Sequence, residues 1–194
     1  MTKLLEIARA ALLSTLGLVL LCCGIYPLLV WGAGHALFPH QAQGSLLEGK
    51  GGVWGSSLIA QEFKGAGYFH PRPSAAGNGW DAMNSGGSNL GPMSQKLYDS
   101  VTITAKAYRD ENGLAADALV PADAVTCSGS GLDPEITPDN AQLQAPRVAK
   151  ARGLSLEAIQ AKISLHSKGR TLGFMGEPTV NVVELNADLD GLNP

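Results

Sequence analysis

The sequence predicts a single N-terminal transmembrane helix followed by a mixed α/β extracytoplasmic domain with a small sheet. The first observation is an uncharged apolar run over residues 10–31, 22 residues long. A helix of that length extends about 33 Å, which matches a hydrocarbon core of about 30 Å. The second is that helical and strand-like patterns alternate further on, separated by Gly and Pro. These patterns divide the chain into an N-terminus (1–9), a transmembrane helix (10–31), a tether (32–53) and an α/β domain (54–194).

The flanking charges predict the orientation of the span. Lys3 and Arg9 precede it, with Glu6 between them, and no charge follows it until Glu48. Because cytoplasmic flanks carry the excess of Lys and Arg, we expect the N-terminus inside and the domain outside the cell. A cleaved signal peptide is the alternative, but its apolar region is normally only about 7–15 residues long. Pro27 is expected to break one helical hydrogen bond near the outer end, where water can reach the freed carbonyl.

Composition restricts the class of partner that the domain can bind. Residues 38–194 contain 12 basic and 16 acidic side chains, a net charge of −4. A nucleic-acid partner would require a basic surface, so none is expected. Cys127 is the only cysteine beyond the span, and the four histidines lack zinc-ligand spacing. We therefore expect neither a disulfide nor a metal centre in the domain.

Start and stop signals predict the elements of the domain in order. Ser94, Thr137 and Ser155 are typical helix N-caps, and glycines follow the helical patterns they open. Pro146 is expected to kink or restart the second helix, and the basic residues 147, 150 and 152 are expected to face solvent. The predicted elements are helices 94–113, 138–152 and 155–169 and strands 122–127 and 180–185.

Two loops are the candidate functional surface. Pro71 and Pro73 hold Arg72 extended, which suits either a structural tie to backbone carbonyls or contact with a partner or anion. The stretch 84–89 could form an anion-binding nest or a tight turn. Asp133 precedes Pro134 and is more typical of a turn than of a nucleophile or ligand. The candidate partner-contact residues are Arg72, Ser74, Ser85, Gly86, Gly87, Ser88, Asn89, Ser130, Gly131 and Asp133.

No catalytic or nucleotide-binding motif is intact in the chain. Residues 44–50 match GxxxxGK, but Gly51 occupies the position where a P-loop requires Ser or Thr. Neither an apolar strand before it nor a helix after it is predicted, and the phosphate loop needs both. From these residues alone, the prediction is a membrane-anchored accessory or binding protein.

Several short motifs, in their order and spacing, resemble the small, single-span subunit of the bacterial Kdp potassium-transporting ATPase. They cover nearly the whole chain. The motifs are Tyr26-Pro27-Leu28-Leu29, Gly44-Ser45-Leu46, Gly55-Ser56, Leu58-Ile59, Gln61-x-Phe63, Tyr68-Phe69-His70, Arg72-Pro73-Ser74-Ala75, Ser85-Gly-Gly-Ser-Asn-Leu90, Ser130-Gly-Leu-Asp133, Ile136-Thr-Pro138, Pro146-Arg-Val-Ala-Lys-Ala-Arg152, Val180-Asn181 and Glu184-Leu-Asn186.

The resemblance implies an accessory, non-catalytic subunit of an ATP-driven, high-affinity potassium uptake complex in the bacterial inner membrane. It implies two partners, a channel-like potassium-binding subunit and a P-type ATPase subunit, besides the lipid bilayer. Family members are described as catalytic chaperones that raise the ATP affinity of the ATPase subunit, so ATP is the one cofactor implied. No residue of this chain is assigned to ATP, which lies on the side of the membrane opposite the predicted position of the domain.

Two other functional classes remain open from the residues. One is a membrane-tethered periplasmic binding protein that recognises a small anion through Arg72 and residues 85–89. The other is an anchored hydrolase built around Asp133.

Overall fold

The computed structural model describes residues 2–49 and 51–192 and divides after Ser45 into two compact units. The fold class agrees with the prediction: one long N-terminal apolar helix is followed by an α/β region with small antiparallel sheets. The predicted tether, 32–53, contains the end of that helix and most of a β-hairpin.

The first unit consists of helix α1 (Thr2–Val19), a π-helical segment (Leu20–Ile25), helix α2 (Tyr26–Leu37) and the single turn α3 (Pro39–Ala42). The continuous helix Lys3–Leu37 is long and apolar enough to cross a membrane, and its most apolar part is not buried within the chain. It ends at Phe38, whose φ of −136° and ψ of 58° leave the helical region before Pro39.

A π-helical segment precedes Pro27 in the span. The Tyr26 amide donates to the Leu21 carbonyl, five residues back instead of four. Pro27 has no amide hydrogen, so it cannot donate to the carbonyls four and five residues earlier, which are those of Cys23 and Cys22. The helical bond expected to be lost at Pro27 is thus accompanied by a π-helical segment near the middle of the apolar run 10–31.

The second unit contains two small sheets. Strands β1 (Leu46–Gly49) and β2 (Gly52–Ser56) form an antiparallel hairpin with a bulge between Leu47 and Glu48. Strands β3 (Glu135–Ile136), β4 (Ser167–Lys168) and β5 (Thr179–Asn181) form an antiparallel sheet with β5 in the centre. The helices are α4 (Gln95–Asn112), α5 (Ala122–Val125), α6 (Pro138–Arg152), α7 (Leu156–Leu165) and α8 (Val182–Leu189).

The main hydrophobic core lies between α6, α7 and the sheet around β5. Phe69 is buried in it, although its segment belongs to no helix or strand. The other buried apolar side chains are Ile136, Ala141, Ala145, Val148, Ala149, Ile159, Ile163, Val180, Val182 and Leu185. A smaller cluster joins Leu47 of the hairpin to Val183 and Ala187 of α8.

The predicted helix starts are confirmed. Ser94, Thr137 and Ser155 are the N-caps of α4, α6 and α7, and the hydroxyls of Thr137 and Ser155 accept amides of the first turn. Gly113 and Gly153 end α4 and α6 with φ of 65° and 66°. These left-handed positions favour glycine.

Three element predictions were wrong, and one of two outcomes expected at Pro146 is ruled out. Residues 122–125 form one helical turn instead of a strand. Of the two outcomes expected at Pro146, a restart is ruled out, because α6 continues through the proline with Ala141, Ala145, Val148 and Ala149 buried on both sides of it. Helix α7 ends at Leu165, and residues 167–168 pair with β5. The predicted strand 180–185 is a strand only to Asn181, whose side chain accepts the amides of Val183 and Glu184 and starts α8.

Candidate functional site

The structure brings the two candidate loops into one seam, formed by residues 72–76, 85–89 and 126–133. Ser74 Oγ donates to the Gly131 carbonyl at 2.6 Å. The Ser85 hydroxyl and the Gly86 amide both donate to the Ser130 carbonyl at 2.9 Å. The loops that the sequence predicted separately are therefore a single structural feature, here called the loop seam.

Arg72 ties the loop seam together in the way that the structural interpretation predicted. Its Nε donates to the Thr126 carbonyl at 3.4 Å and its Nη2 to the Cys127 carbonyl at 3.3 Å. Its Nη1 lies 3.4 Å from the Asp133 carboxylate. Because each of its three nitrogens contacts the 126–133 loop, the guanidinium positions that loop.

Asp133 is engaged on both carboxylate oxygens. Oδ1 accepts the Glu135 amide at 3.0 Å, which is the turn predicted for an aspartate before proline, and Oδ2 faces Arg72. A nucleophilic carboxylate needs an oxygen directed at a substrate. The geometry thus favours a structural role for Asp133.

Close backbone approach explains the glycines of the loop seam. Gly131 has φ +69°, and a Cβ there would lie 2.5 Å from the Gly86 carbonyl oxygen. A Cβ at Gly87 would lie 3.1 Å from the Gly129 carbonyl oxygen. Both glycines let two stretches of main chain pack directly on each other. The Gly86 amide is used in this contact, which weakens the anion-nest interpretation.

A cavity of about 540 Å³ lies beside the loop seam. Ser74, Ser88, Lys96 and Cys127 are among its lining residues. Burial raises the pKa of the Cys127 thiol, but hydrogen bonds from Ser88 and the charge of Arg72 outweigh it. The net pKa is therefore lower than the ordinary value of 9.0. Asn89, the last candidate residue, adopts φ +50° at the end of the Gly-Gly turn.

Sequence reasoning assigned no structural role to a second set of polar residues, whose side chains take the place of strand pairing. The Asn186 amide accepts from the Phe69 nitrogen and donates to the Phe69 carbonyl, both at 2.9 Å. The Gln144 amide makes the same pair of bonds to the His70 main chain, at 2.7 and 3.0 Å. Gln144 and Asn186 are both almost fully buried. Their position on otherwise apolar helix faces was the signal that could have found them.

The same network continues to Asp123. Asn140 donates from Nδ2 to Asp123 and accepts the Tyr108 hydroxyl at 2.8 Å. Asp123 also accepts the Thr137 amide at 2.7 Å. Burial, followed by the charge of Asp123, raises the pKa of Tyr108 far above its ordinary value. The tyrosine therefore remains a neutral donor at physiological pH.

The basic edge of α6 does not simply face solvent, so that expectation was wrong for two of its three residues. Arg147 donates to the Ala66 and Tyr68 carbonyls at 2.8 and 2.9 Å. Arg152 donates to the Gly67 and Leu189 carbonyls and pairs with Asp190. The two arginines hold residues 66–68 against α6, and the next two residues are bound by Asn186 of α8 and Gln144 of α6.

Residues 46–49 of the GxxxxGK stretch form strand β1 of a hairpin, and strand β2 follows instead of a helix. Leu46–Gly49 pairs with Gly52–Ser56, and Lys50 lies outside the described residues. Phosphate loops need the first turn of a helix directly after them. Within residues 2–49 and 51–192, no group of three or more His, Cys, Asp or Glu is placed to hold a metal ion.

Comparison with known proteins gives one consistent result. A family model described as the c chain of the K+-transporting ATPase, KdpC, matches residues 8–191. A relative from Mycobacterium tuberculosis is 56% identical over 168 residues, which cover 87% of this chain and 89% of that protein. A relative from Caulobacter sp. is 53% identical over 188 residues, covering 96% of this chain and 94% of that protein. Each of these relatives is named potassium-transporting ATPase KdpC subunit.

The family model includes both the span and nearly all of the α/β unit, so the match is not confined to the apolar helix. The chain belongs to the KdpC family, the c chain of the K+-transporting ATPase.

Proposed function

We propose that this chain is the accessory subunit of an ATP-driven potassium uptake complex and that it stabilises the assembly without catalysing a reaction itself. The observation that carries the proposal is the family match over residues 8–191, which includes both the anchor helix and the domain. The polar residues of that domain bind other parts of the same chain. Its partners are a channel-like potassium-binding subunit and a P-type ATPase subunit.

The loop seam and the buried amides support a scaffolding role. Arg72, Asp133 and Gln144 all bind the chain's own backbone or side chains. A hydrolase around Asp133 would need that carboxylate to be available to a substrate. An anion-binding protein would need Arg72 and the Gly86 amide for its ligand, and the comparisons give that alternative no support.

The orientation is part of the proposal, with the N-terminus in the cytoplasm and the α/β unit outside. The basic residues Lys3 and Arg9 before the span support it. In this arrangement the domain lies over the outer entrance of the potassium path, and its acidic net charge mildly favours cations there. Any effect on ATP affinity then reaches the ATPase subunit through contacts within the membrane, because ATP is cytoplasmic.

The test of assembly is co-purification in mild detergent. A tag on this chain should retain both large subunits, in a complex whose ATP hydrolysis is stimulated by potassium. A solitary monomer would favour the binding-protein alternative. Hydrolytic turnover by this chain free of the other subunits would contradict the non-catalytic assignment.

The test of orientation uses Cys127, whose side chain is partly exposed. A membrane-impermeant maleimide should label it in intact cells of a strain in which Cys22 and Cys23 are replaced by alanine. Labelling that requires permeabilised cells, together with a C-terminal reporter active only in the cytoplasm, would reverse the orientation.

A further inference from the structure

The middle of the span contains a main-chain acceptor that the helix itself does not satisfy. In an α-helix, the Cys22 carbonyl would accept the Tyr26 amide, four residues later. That amide donates to Leu21 instead, and the next possible donor, Pro27, has no amide hydrogen. The Cys22 carbonyl therefore loses both of the helical donors that could reach it.

The depth of this carbonyl excludes solvent as a partner. Cys22 lies within two residues of the midpoint of the apolar run 10–31, or about 2 Å along a helix rising ~1.5 Å per residue. The hydrocarbon layer extends about 15 Å to either side of the midplane. Lipid tails cannot donate hydrogen bonds, so a peptide group left unpaired there is strongly unfavourable.

The span's own side chains do not serve this acceptor. In the helix over residues 3–37, Ser14 donates to the Ala11 carbonyl and the His35 ring contacts the Trp31 carbonyl. The helix leaves space for a neighbouring helix at its two glycines. A Cβ at Gly24 would meet only Leu20 of the same helix, at 3.8 Å, and a Cβ at Gly17 would meet nothing within 4 Å. Small residues let a neighbouring helix approach the main chain closely.

We propose that the Cys22 carbonyl accepts a hydrogen bond from a hydroxyl or amide side chain on a transmembrane helix of another subunit of the ATPase complex. The inference rests on the proposed function, because it needs that subunit as the donor. A single acceptor at a defined depth fixes both the height and the rotation of the span against its partner.

The experiment is the substitution Pro27→Ala in the whole complex. Alanine at this position supplies the missing amide, so the helix satisfies its own acceptors and the partner's donor loses its bond. Retention of the subunit through a detergent titration should fall about three- to eighteen-fold, the range for one hydrogen bond between membrane helices. Leu28→Ala is the matched control, because it shortens an adjacent apolar side chain without changing a main-chain donor. Equal retention of P27A and L28A would overturn the proposal.

A double-mutant cycle identifies the donor. Serine, threonine, asparagine and glutamine residues in the partner spans are changed singly to alanine. One such change should weaken retention of the wild-type chain but cause no further loss in P27A. Additive losses at every partner position would overturn the proposal. A dimer of this chain in bilayers that P27A weakens would also overturn it, since the donor would then belong to a second copy of this chain. Failure of the wild-type chain to co-purify would instead refute the proposed function.

Discussion

Gly131 shows how a single residue sets the loop seam. Its φ of +69° is unfavourable for a side chain, and an added Cβ would lie 2.5 Å from the Gly86 carbonyl oxygen and 2.7 Å from the Ala76 nitrogen. Replacement by alanine must therefore separate two stretches of main chain. We expect Gly131→Ala to reduce the free energy of unfolding by about 1–3 kcal/mol. Thermal unfolding followed by circular dichroism measures the change.

Gly129→Ala is the matched control for that prediction. It lies two residues away in the same loop, and a Cβ there would meet nothing within 4 Å. Equal melting temperatures for the two variants would contradict the close packing of the loop seam.

Cys127 gives a second prediction at the residue scale. Although burial raises the thiol pKa, Ser88 and Arg72 lower it more. Ser88→Ala removes a hydrogen bond to the thiolate, so the pKa should rise and alkylation by iodoacetamide should shift to higher pH. The pH–rate profile is measured on a chain whose span cysteines are alanine. Ser100 lines the same cavity, so Ser100→Ala is the control. This substitution should not shift the pH–rate profile. A shift of equal size in that control would refute the role of Ser88.

At the scale of elements, side-chain amides connect helices to irregular chain. Asn186 of α8 satisfies both polar groups of the Phe69 main chain. Asn186→Leu would leave these groups buried and unpaired, at about 1–3 kcal/mol each. We expect a loss of about 2–5 kcal/mol in urea unfolding. Gln160→Leu, at an exposed amide on α7, is the control and should change stability by less than about 1 kcal/mol. If Asn186→Leu lost no more stability than Gln160→Leu, the role of Asn186 in pairing the Phe69 main chain would be refuted.

Helices α7 and α8 are joined by a charge cluster that predicts a pH dependence. Asp188 lies 2.8 Å from Lys162 and 3.2 Å from His166. Burial raises the pKa of Asp188, but the bonds from Lys162 and His166 bring it below the ordinary 3.8. A carboxyl group whose pKa is lower in the folded than in the unfolded state stabilises the fold at pH values above its unfolded-state pKa. That stabilisation is lost as the pH falls through its folded-state pKa.

Asp188→Asn should therefore be less stable than the wild-type chain at neutral pH. The stability difference between the two proteins should become smaller only as the pH falls below 3.8, the ordinary pKa of an aspartate. Urea unfolding at neutral pH and at about pH 3 measures it. A stability difference that disappears already between neutral pH and mild acid would show that Asp188 is not the titrating group.

For the whole molecule, the anchor and the α/β unit should contribute separately. Deleting residues 38–194 leaves the apolar helix and its Cys22 carbonyl intact. We expect the shortened chain still to bind the complex but to abolish growth on limiting potassium, because in the proposed function it is the domain that assists the pump. Growth is compared with that of the full chain expressed to the same level. Unimpaired growth of the deletion strain would show that the domain is dispensable.

Local signals were sufficient to predict much of this fold. The caps at Ser94, Thr137 and Ser155 act within one helical turn, so the sequence around them specifies the helix start. Asn181 was missed because β-branched valines follow it, although Asn181 and Glu184 have the spacing of a capping box. The loop-seam residues were predicted, but not their mutual contact. The Asn186–Phe69 bonds join residues 117 apart, which no local pattern encodes.

The three-stranded sheet has a consequence for a protein concentrated at a membrane surface. Its outer strands, β3 and β4, are only two residues long. Unpaired strand edges are templates on which neighbouring molecules can add strands and aggregate, and very short edges offer little template. The edge strands of the three-stranded sheet are therefore too short to recruit other copies by strand pairing. Crowding in the plane of a bilayer should then favour ordered assembly over fibril growth.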